Sequence, residues 1–310
     1  MSWLRKPVQR TGVISFVVLF LLTGCDKDGS TSVGPVYSDR PQQNSKPVYV
    51  LAVHPLYNPA RLADAYQPLI NYLNANLPGS SFELEASRDY QSYEAKVRAR
   101  KVSFLLPNPW QTLEAMKVGY NVITEAGASD DFRGIFIVRR DKKIKSPADL
   151  RGEVVSYPSP TALAACILPQ YFLYKHGIDV NKDLRNRYVG SQESAILHAY
   201  LGQAAAGATW PPPWRVFQKD HPEEAAQLKV IWKTPALKNN SVMARDDVPP
   251  EVVTRVRRLL LGLQKTGRGR QILQGMETAR FSAANNHSYD GVRRFIKRFE
   301  RTVRPVERKP

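Results

Sequence analysis

The chain has 310 residues, of which 43% are hydrophobic, 24% charged and 10% aromatic, a globular profile that excludes a long disordered chain, a collagen-like repeat or a small disulfide-stapled domain. Its length allows one large core or two lobes of ordinary size, the second being the working expectation, and a mean hydropathy of -0.39 excludes a multi-span membrane protein. The formal net charge of +17 asks for an anionic partner, and residues 251–310, with 15 basic against 5 acidic side chains, carry the largest share of it.

Arg5 and Lys6 precede an apolar run from Val13 to Leu22. A basic start and a short apolar run make a secretory signal, too short to span a bilayer core of ~30 Å as a helix. The tetrad Leu22-Thr23-Gly24-Cys25 resembles the lipobox of bacterial lipoproteins. That resemblance implies loss of residues 1–24 as a signal peptide and a lipid anchor on Cys25. With Asp26 directly after the cysteine, it further implies retention at the periplasmic face of the inner membrane. Residues 25–46, rich in Gly, Ser, Pro, Asn and Gln, read as a flexible tether. Lipidation of Cys25 leaves Cys166 without a disulfide partner, and its neighbours Ala165 and Ile167 make it a small buried side chain rather than a nucleophile.

Structure is expected from Pro47. Residues 48–53 read as a buried strand, and Asn58-Pro59 as the cap and first turn of a helix whose Leu62, Tyr66, Leu69, Ile70 and Leu73 share one face. Strands are expected at 82–86, 102–106 and 134–138, with helices at 90–100 and 110–118. The charged run Arg139 to Lys145 reads as a solvated loop and a crossing between lobes. Ser146-Pro147-Ala148-Asp149 matches a capping box. A second set comes next, with strands at 153–157, 187–189 and 228–232 and helices at 161–174 and 193–201. Pro249-Pro250 opens a helix with a 3.6-residue apolar period. This alternation implies an α/β fold with mostly parallel sheets.

There is no nucleotide loop, metalloprotease motif, nucleophile elbow or paired-cysteine zinc motif, and the five histidines lie far apart. Neither a metal nor a cofactor is expected, and catalysis is disfavoured.

Ile144-Lys145-Ser146-Pro147-Ala148-Asp149-Leu150-Arg151-Gly152 resembles the segment that opens the second lobe in periplasmic solute-binding proteins. Asp89-Tyr90, Phe104-Leu105-Leu106-Pro107-Asn108-Pro109, Val189-Gly190-Ser191-Gln192-Glu193 and Val230-Ile231-Trp232-Lys233-Thr234-Pro235 fit one branch in the same order. That branch is the phosphate/phosphite/phosphonate-binding proteins of ABC transporters. The resemblance runs from about Tyr49 to Phe299 and implies a two-lobe, Venus-flytrap fold with two interlobe crossings. Lobe 1 would be 47–136 plus 245–310, and lobe 2 would be 137–244. It implies a monomer that captures a small anionic ligand for an ABC permease. A receptor presenting its ligand to a membrane sensor, and an enzyme on the same scaffold, are the alternatives.

Relatives hold the anion with a Ser-Thr-Ser run at a helix start, where hydroxyls and free amides suit a tetrahedral group. Alignment on Pro169 puts Ala162, Leu163 and Ala164 there, leaving Ser159 and Thr161 as either caps or ligand contacts. Gln192 stands where relatives have a contacting histidine, and Glu193 either at the adjacent acid or simply in the first turn of its helix, where the dipole favours a carboxylate; Ser191 precedes them. Trp210-Pro211-Pro212-Pro213-Trp214 stands where relatives place acids against a ligand amine. Its prolines favour an extended backbone that would make Trp210 and Trp214 the walls of an aromatic slot, unless the indoles pack under a loop. Tyr57, Asn108, Trp110 and Phe132 should reach the cleft from the first lobe, and Arg133 is either its cation or a solvated side chain.

The C-terminal stretch, with Arg293, Arg294, Lys297, Arg298, Arg301, Arg304, Arg308 and Lys309 around Phe295 and Phe299, reads as a helix with one buried stripe and a cationic exterior. For an anchored protein this implies attraction to anionic lipid, and export excludes nucleic acid as the partner.

Overall fold

The computed structural model describes residues 46–306. The signal sequence, Cys25, the tether as far as Ser45, Arg308 and Lys309 lie outside the described residues.

The first part of the chain alternates strictly: β1 (Val48–Val53), α1 (Pro59–Asn76), β2 (Ser81–Glu85), α2 (Tyr90–Arg98), β3 (Phe104–Leu106), α3 (Pro109–Met116) and β4 (Tyr120–Ala126). Each helix starts where the sequence supplies an acceptor for a free amide. Asn58 caps α1 through Arg61 N at 3.0 Å, Asp89 caps α2 through Ser92 N at 2.7 Å, and Asn108 caps α3 through Trp110 N and Gln111 N. The face of α1 carrying Leu62, Tyr66, Leu69, Ile70 and Leu73 is buried against the sheet.

The next part comprises β5 (Ile135–Arg139), β6 (Val154–Tyr157), α4 (Leu168–Lys175), β7 (Arg185–Tyr188), α5 (Gln192–Tyr200), β8 (Ala206–Thr209), α6 (Pro211–Asp220), α7 (Pro222–Ala226) and β9 (Leu228–Lys233). The chain then returns with β10 (Asn240–Arg245), α8 (Pro250–Gly262), α9 (Gly267–Gly275), β11 (Phe281–Ala283) and α10 (Asp290–Thr302).

The strands form two sheets, β11-β4-β10-β3-β1-β2 and β7-β6-β8-β5-β9. Both are mixed rather than mostly parallel. β1 pairs parallel with β2 and β3, and β6 with β7 and β8. β10 and β5, the strands by which the chain enters a sheet from the other one, pair antiparallel. A strand arriving across a hinge is free of the crossover helix that forces parallel pairing.

The chain passes between sheets at residues 127–134 and 234–239. β5 lies wholly in the second sheet, so the charged run 139–145 comes after the crossing instead of making it. The expected lobe limits at 136/137 and 244/245 fall inside β5 and β10. The two crossings run side by side, with Thr234 N to Gly134 O and Leu237 N to Phe132 O both at 2.9 Å, and Asn239 Nδ2 to Ala128 O at 2.7 Å. Gly127 permits this contact: its φ of +98° is open to glycine, and a Cβ there would meet Asn239 Nδ2 at 2.5 Å.

Two local expectations change. Trp210-Pro211-Pro212-Pro213-Trp214 is not extended: Pro211 starts α6, and three prolines fit because the first turn of a helix uses no N–H donors and their φ is already helical. In α10 the buried stripe is Val292, Ile296 and Phe299. Phe295 lies on its flank, edge-on to Tyr171 at 5.2 Å.

Candidate functional site

Between the two sheets, His54, Tyr90, Asn108 and Phe132 of the first lobe and the hinge face Ala162 to Ala165, Gln192 and Trp210 of the second, leaving only about 10 Å³. The lobes are closed on one another, and a guest the size of phosphate enters only if they part.

After Pro158-Ser159-Pro160-Thr161 the chain makes a wide turn, Leu163–Ile167, that runs into α4. Its first internal hydrogen bonds are donated by Cys166 and Ile167, both to Ala162 O. The amides of Leu163, Ala164 and Ala165 precede them, at the positive end of the helix, and these three residues line the cleft.

Three hydrogen bonds join the lobes there. Gln192 Nε2 donates to Tyr90 OH at 3.1 Å, Asn108 Nδ2 to Thr161 O at 3.2 Å, and Thr161 Oγ1 to Glu94 Oε1 at 2.6 Å. Thr209 Oγ1 in turn donates to Gln192 Oε1 at 2.8 Å, so both ends of that carboxamide are held. Burial raises the Tyr90 pKa, so its hydroxyl keeps its proton and has it free to donate.

The hydroxyls of Ser159 and Thr161 lie 2.9 Å apart and lead to the buried carboxylate of Glu94, which also accepts from Gln111 Nε2 at 3.0 Å. They therefore serve an acid of the facing lobe. Glu94 and His54 were not picked out from the sequence. The available signal for Glu94 was its place four residues after Tyr90, on the buried face of α2.

Arg133 lies outside the cleft wall, its Nε donating to Asp130 O at 2.7 Å. His54 is in the cleft, but burial lowers its pKa to about 4 against a smaller raising effect of its bond to Leu106 O, so it is neutral at pH 7. The central site is thus built from dipoles.

Trp210 packs on Phe132 with ring centroids 5.3 Å apart, whereas Trp214 stacks on Phe217 at 5.8 Å, one helical turn along α6. The two indoles do not form one slot. Trp110 is packed in the core behind the Asn108 cap. Tyr57, Ser191 and Glu193 line an adjoining interlobe cavity of about 170 Å³ that shares Gln192 with the centre. In it, Tyr57 has a buried hydroxyl without a hydrogen-bond partner, and His221 Nε2 lies 3.2 Å from Glu193 Oε1.

At the edge of the cleft Arg215 clasps both lobes. Its guanidinium meets Asp131 at 3.0 and 2.8 Å and Glu277 at 2.8 Å, and Lys219 pairs with Glu277 as well. Burial alone would raise the Glu277 pKa, and the hydrogen bonds from Lys219 and Arg215 overcome it to hold it below the usual range. No sequence signal links these residues, which come from α6, the first crossing and the turn after α9.

Among the described residues no group of His, Cys, Asp and Glu is placed to hold a metal ion, and no helix is long and apolar enough to cross a membrane. Burial pushes the Cys166 thiol up to about 11, away from nucleophilic use.

Two sheets joined by paired crossings, with closure hydrogen bonds made across a central cleft, define a two-lobe solute-binding protein. The family model described as "ABC transporter, phosphonate, periplasmic substrate-binding protein" matches residues 51–289, and the chain belongs to that family. It captures solute for an ABC importer on the periplasmic side, in a family of transport proteins rather than enzymes. The phosphate-import protein PhnD of Mycolicibacterium smegmatis is 23% identical over 239 residues, which are 71% of this chain and 74% of that protein. Among solved structures, a binding-protein component of an ABC phosphonate transporter from Pseudomonas aeruginosa superposes with a TM-score of 0.77 at 18% identity, covering 83% of this chain and 88% of that one. PhnD1 of Prochlorococcus marinus, in complex with methylphosphonate, gives 0.74 at 18% identity, covering 83% and 99%.

Proposed function

We propose that the cleft takes a small oxyanion of the phosphate or phosphonate class and holds it by dipoles rather than by a salt bridge. The observation that carries this reading is that Leu163, Ala164 and Ala165, whose amides precede the first hydrogen bonds of their turn, line one small interlobe cavity together with Tyr90, Asn108 and Gln192. A helix N-terminus and neutral donors suit an anion, and a hydrogen bond to a charged group contributes about 1.5–3 kcal/mol. Phe132 and Trp210 form the apolar walls. Ser159 and Thr161 act from behind, through Glu94, and the cavity beside Tyr57, Ser191 and Glu193 takes whatever organic group the anion carries. The mycobacterial relative's role in phosphate import and the methylphosphonate in the marine one support this class.

In a thermal-shift titration of the full-length chain in detergent, phosphate or methylphosphonate should raise the melting temperature. At a hundredfold excess over Kd the stabilisation is about 2.7 kcal/mol. Gln192→Leu should abolish the shift. Flat curves with phosphate, phosphite and methylphosphonate alike would overturn the reading.

The same proposal has the protein act as a monomer tethered by lipidated Cys25 to the inner membrane, beside its permease. Cys25→Ser should move it from the detergent phase to the aqueous phase in a partitioning assay; retention in detergent would sink the anchor.

A further inference from the structure

We propose that Arg304, at the end of the chain, is the positioning residue of the ligand-facing turn in the second lobe. α10 belongs to the first lobe by its buried Val292, Ile296 and Phe299. Beyond Thr302 the chain crosses over: Asn181 Nδ2 donates to Val303 O at 2.8 Å, and Val306 is buried. Arg304, expected as part of a solvated cationic exterior, is half-buried instead.

All of its N–H donors are used. Nε donates to Gln170 Oε1 at 2.8 Å, Nη1 to Pro305 O at 2.9 Å and Val306 O at 3.2 Å, and Nη2 to Pro160 O at 2.9 Å and Cys166 Sγ at 3.5 Å. Pro160 stands before and Cys166 directly after the cleft-lining residues of the turn, Leu163 to Ala165, so one guanidinium nitrogen ties both sides of that stretch. Gln170 is fixed from its other side by Asn186 Oδ1 at 3.2 Å. The Phe299 ring lies 5.4 Å from the guanidinium carbon and sets its plane. None of these partners is a carboxylate. The charge therefore stays unneutralised among the described residues, directly behind a site whose front carries no cation, where it favours an anionic guest.

This inference rests on the oxyanion reading for its effect on affinity, but the positioning role has a readout that needs no ligand. Hydrogen exchange on the full-length chain in detergent should show the amides of residues 159–167 exchanging at least about tenfold faster in Arg304→Met than in the parent, with those of α1 unchanged. Affinity for inorganic phosphate or methylphosphonate, whichever binds the parent, should fall about tenfold, equivalent to ~1.4 kcal/mol. Arg304→Lys, which keeps the charge and loses the fork, should recover part of the affinity and little of the protection. Should Arg304→Met not fold, Gln170→Met removes the Nε acceptor and should show the same local acceleration. Unchanged exchange at 159–167, or equal acceleration throughout the chain, overturns the positioning role. A parent that binds neither probe, with local acceleration present, overturns the oxyanion reading and leaves the positioning role standing.

Discussion

Arg215→Met is expected to weaken ligand binding roughly tenfold and to shift the protein toward an open form. The bond to Glu277 joins α6 of the second lobe to the turn after α9 of the first, and the bidentate pair with Asp131 ties α6 to the first crossing, so the clasp is expected to favour the closed state over an open one. Glu277 is 11% exposed but Arg215 is 39% exposed, and solvent screening holds the clasp to about 1–2 kcal/mol rather than the larger value of a fully buried pair. Lys219 still neutralises Glu277 after the substitution, so no buried charge is stranded and the fold should survive. Apparent affinity falls with the fraction of closure-competent protein. Titration calorimetry with phosphate or methylphosphonate, together with the radius of gyration from small-angle scattering, checks both parts. An unchanged Kd with unchanged scattering would show that the clasp does not govern closure.

Gly134→Ala should cost about 2–3 kcal/mol of stability and abolish binding. Gly134 ends the first crossing, and a Cβ there would stand 2.6 Å from Ala164 O and 2.8 Å from two ring carbons of Pro169. Both neighbours belong to the ligand-facing turn and the helix it starts, and neither is the mobile end of a flexible side chain. The strain must move the turn into the cleft or pull the crossing away from Thr234, which exchanges hydrogen bonds with Gly134 through N and Oγ1. Overpacking of this kind costs about 1–3 kcal/mol, and the upper part of that range is a fall of roughly 3–5 °C in Tm for a chain of this size. Gly79→Ala, where a Cβ meets nothing within 4 Å, is the control and should leave Tm and binding near the parent values. Parent-like calorimetric binding in Gly134→Ala would dissociate the turn from the site.

The start of α1 was legible because capping is local: Asn58 serves an amide three residues away, as Asp89, Asn108 and Ser191 do, or closer, at the helices they open. The buried face of α1 was legible for the same reason, through its 3.6-residue period. β10 was not. It opens with Asn240 and Ser241, and their burial depends on partners far along the chain, such as Thr112 Oγ1, 2.7 Å from Ser241 Oγ. Local signals misled at Trp210 to Trp214, because a proline run satisfies a helix's first turn as well as an extended one. The burial of Val216 and Phe217 further along α6 decides between them.

Site residues divide the same way. Asn108 and Gln192 stood out in motifs and do face the cleft; Arg133 and Trp214 stood out equally and turn elsewhere, since a side chain's direction depends on which lobe and helix face receives it. Glu94 offered only its spacing from Tyr90, Arg304 only its place in a basic stretch, and Arg215 and Glu277 no signal at all. Their partners lie tens of residues away, and separations of 62 and 84 residues within one clasp leave no periodicity to read.

The order of residues along this chain was enough to determine most of its early strands and helices and its two-lobe class, because capping and apolar spacing act over a few neighbours. Which groups meet across the cleft was decided only in three dimensions. There the lobes bring a neutral set of donors together, and the cations are withdrawn to the rim and to the back of the turn. Electrostatic and hydrogen-bond partners are chosen by distance in space, and the hinge sets that distance.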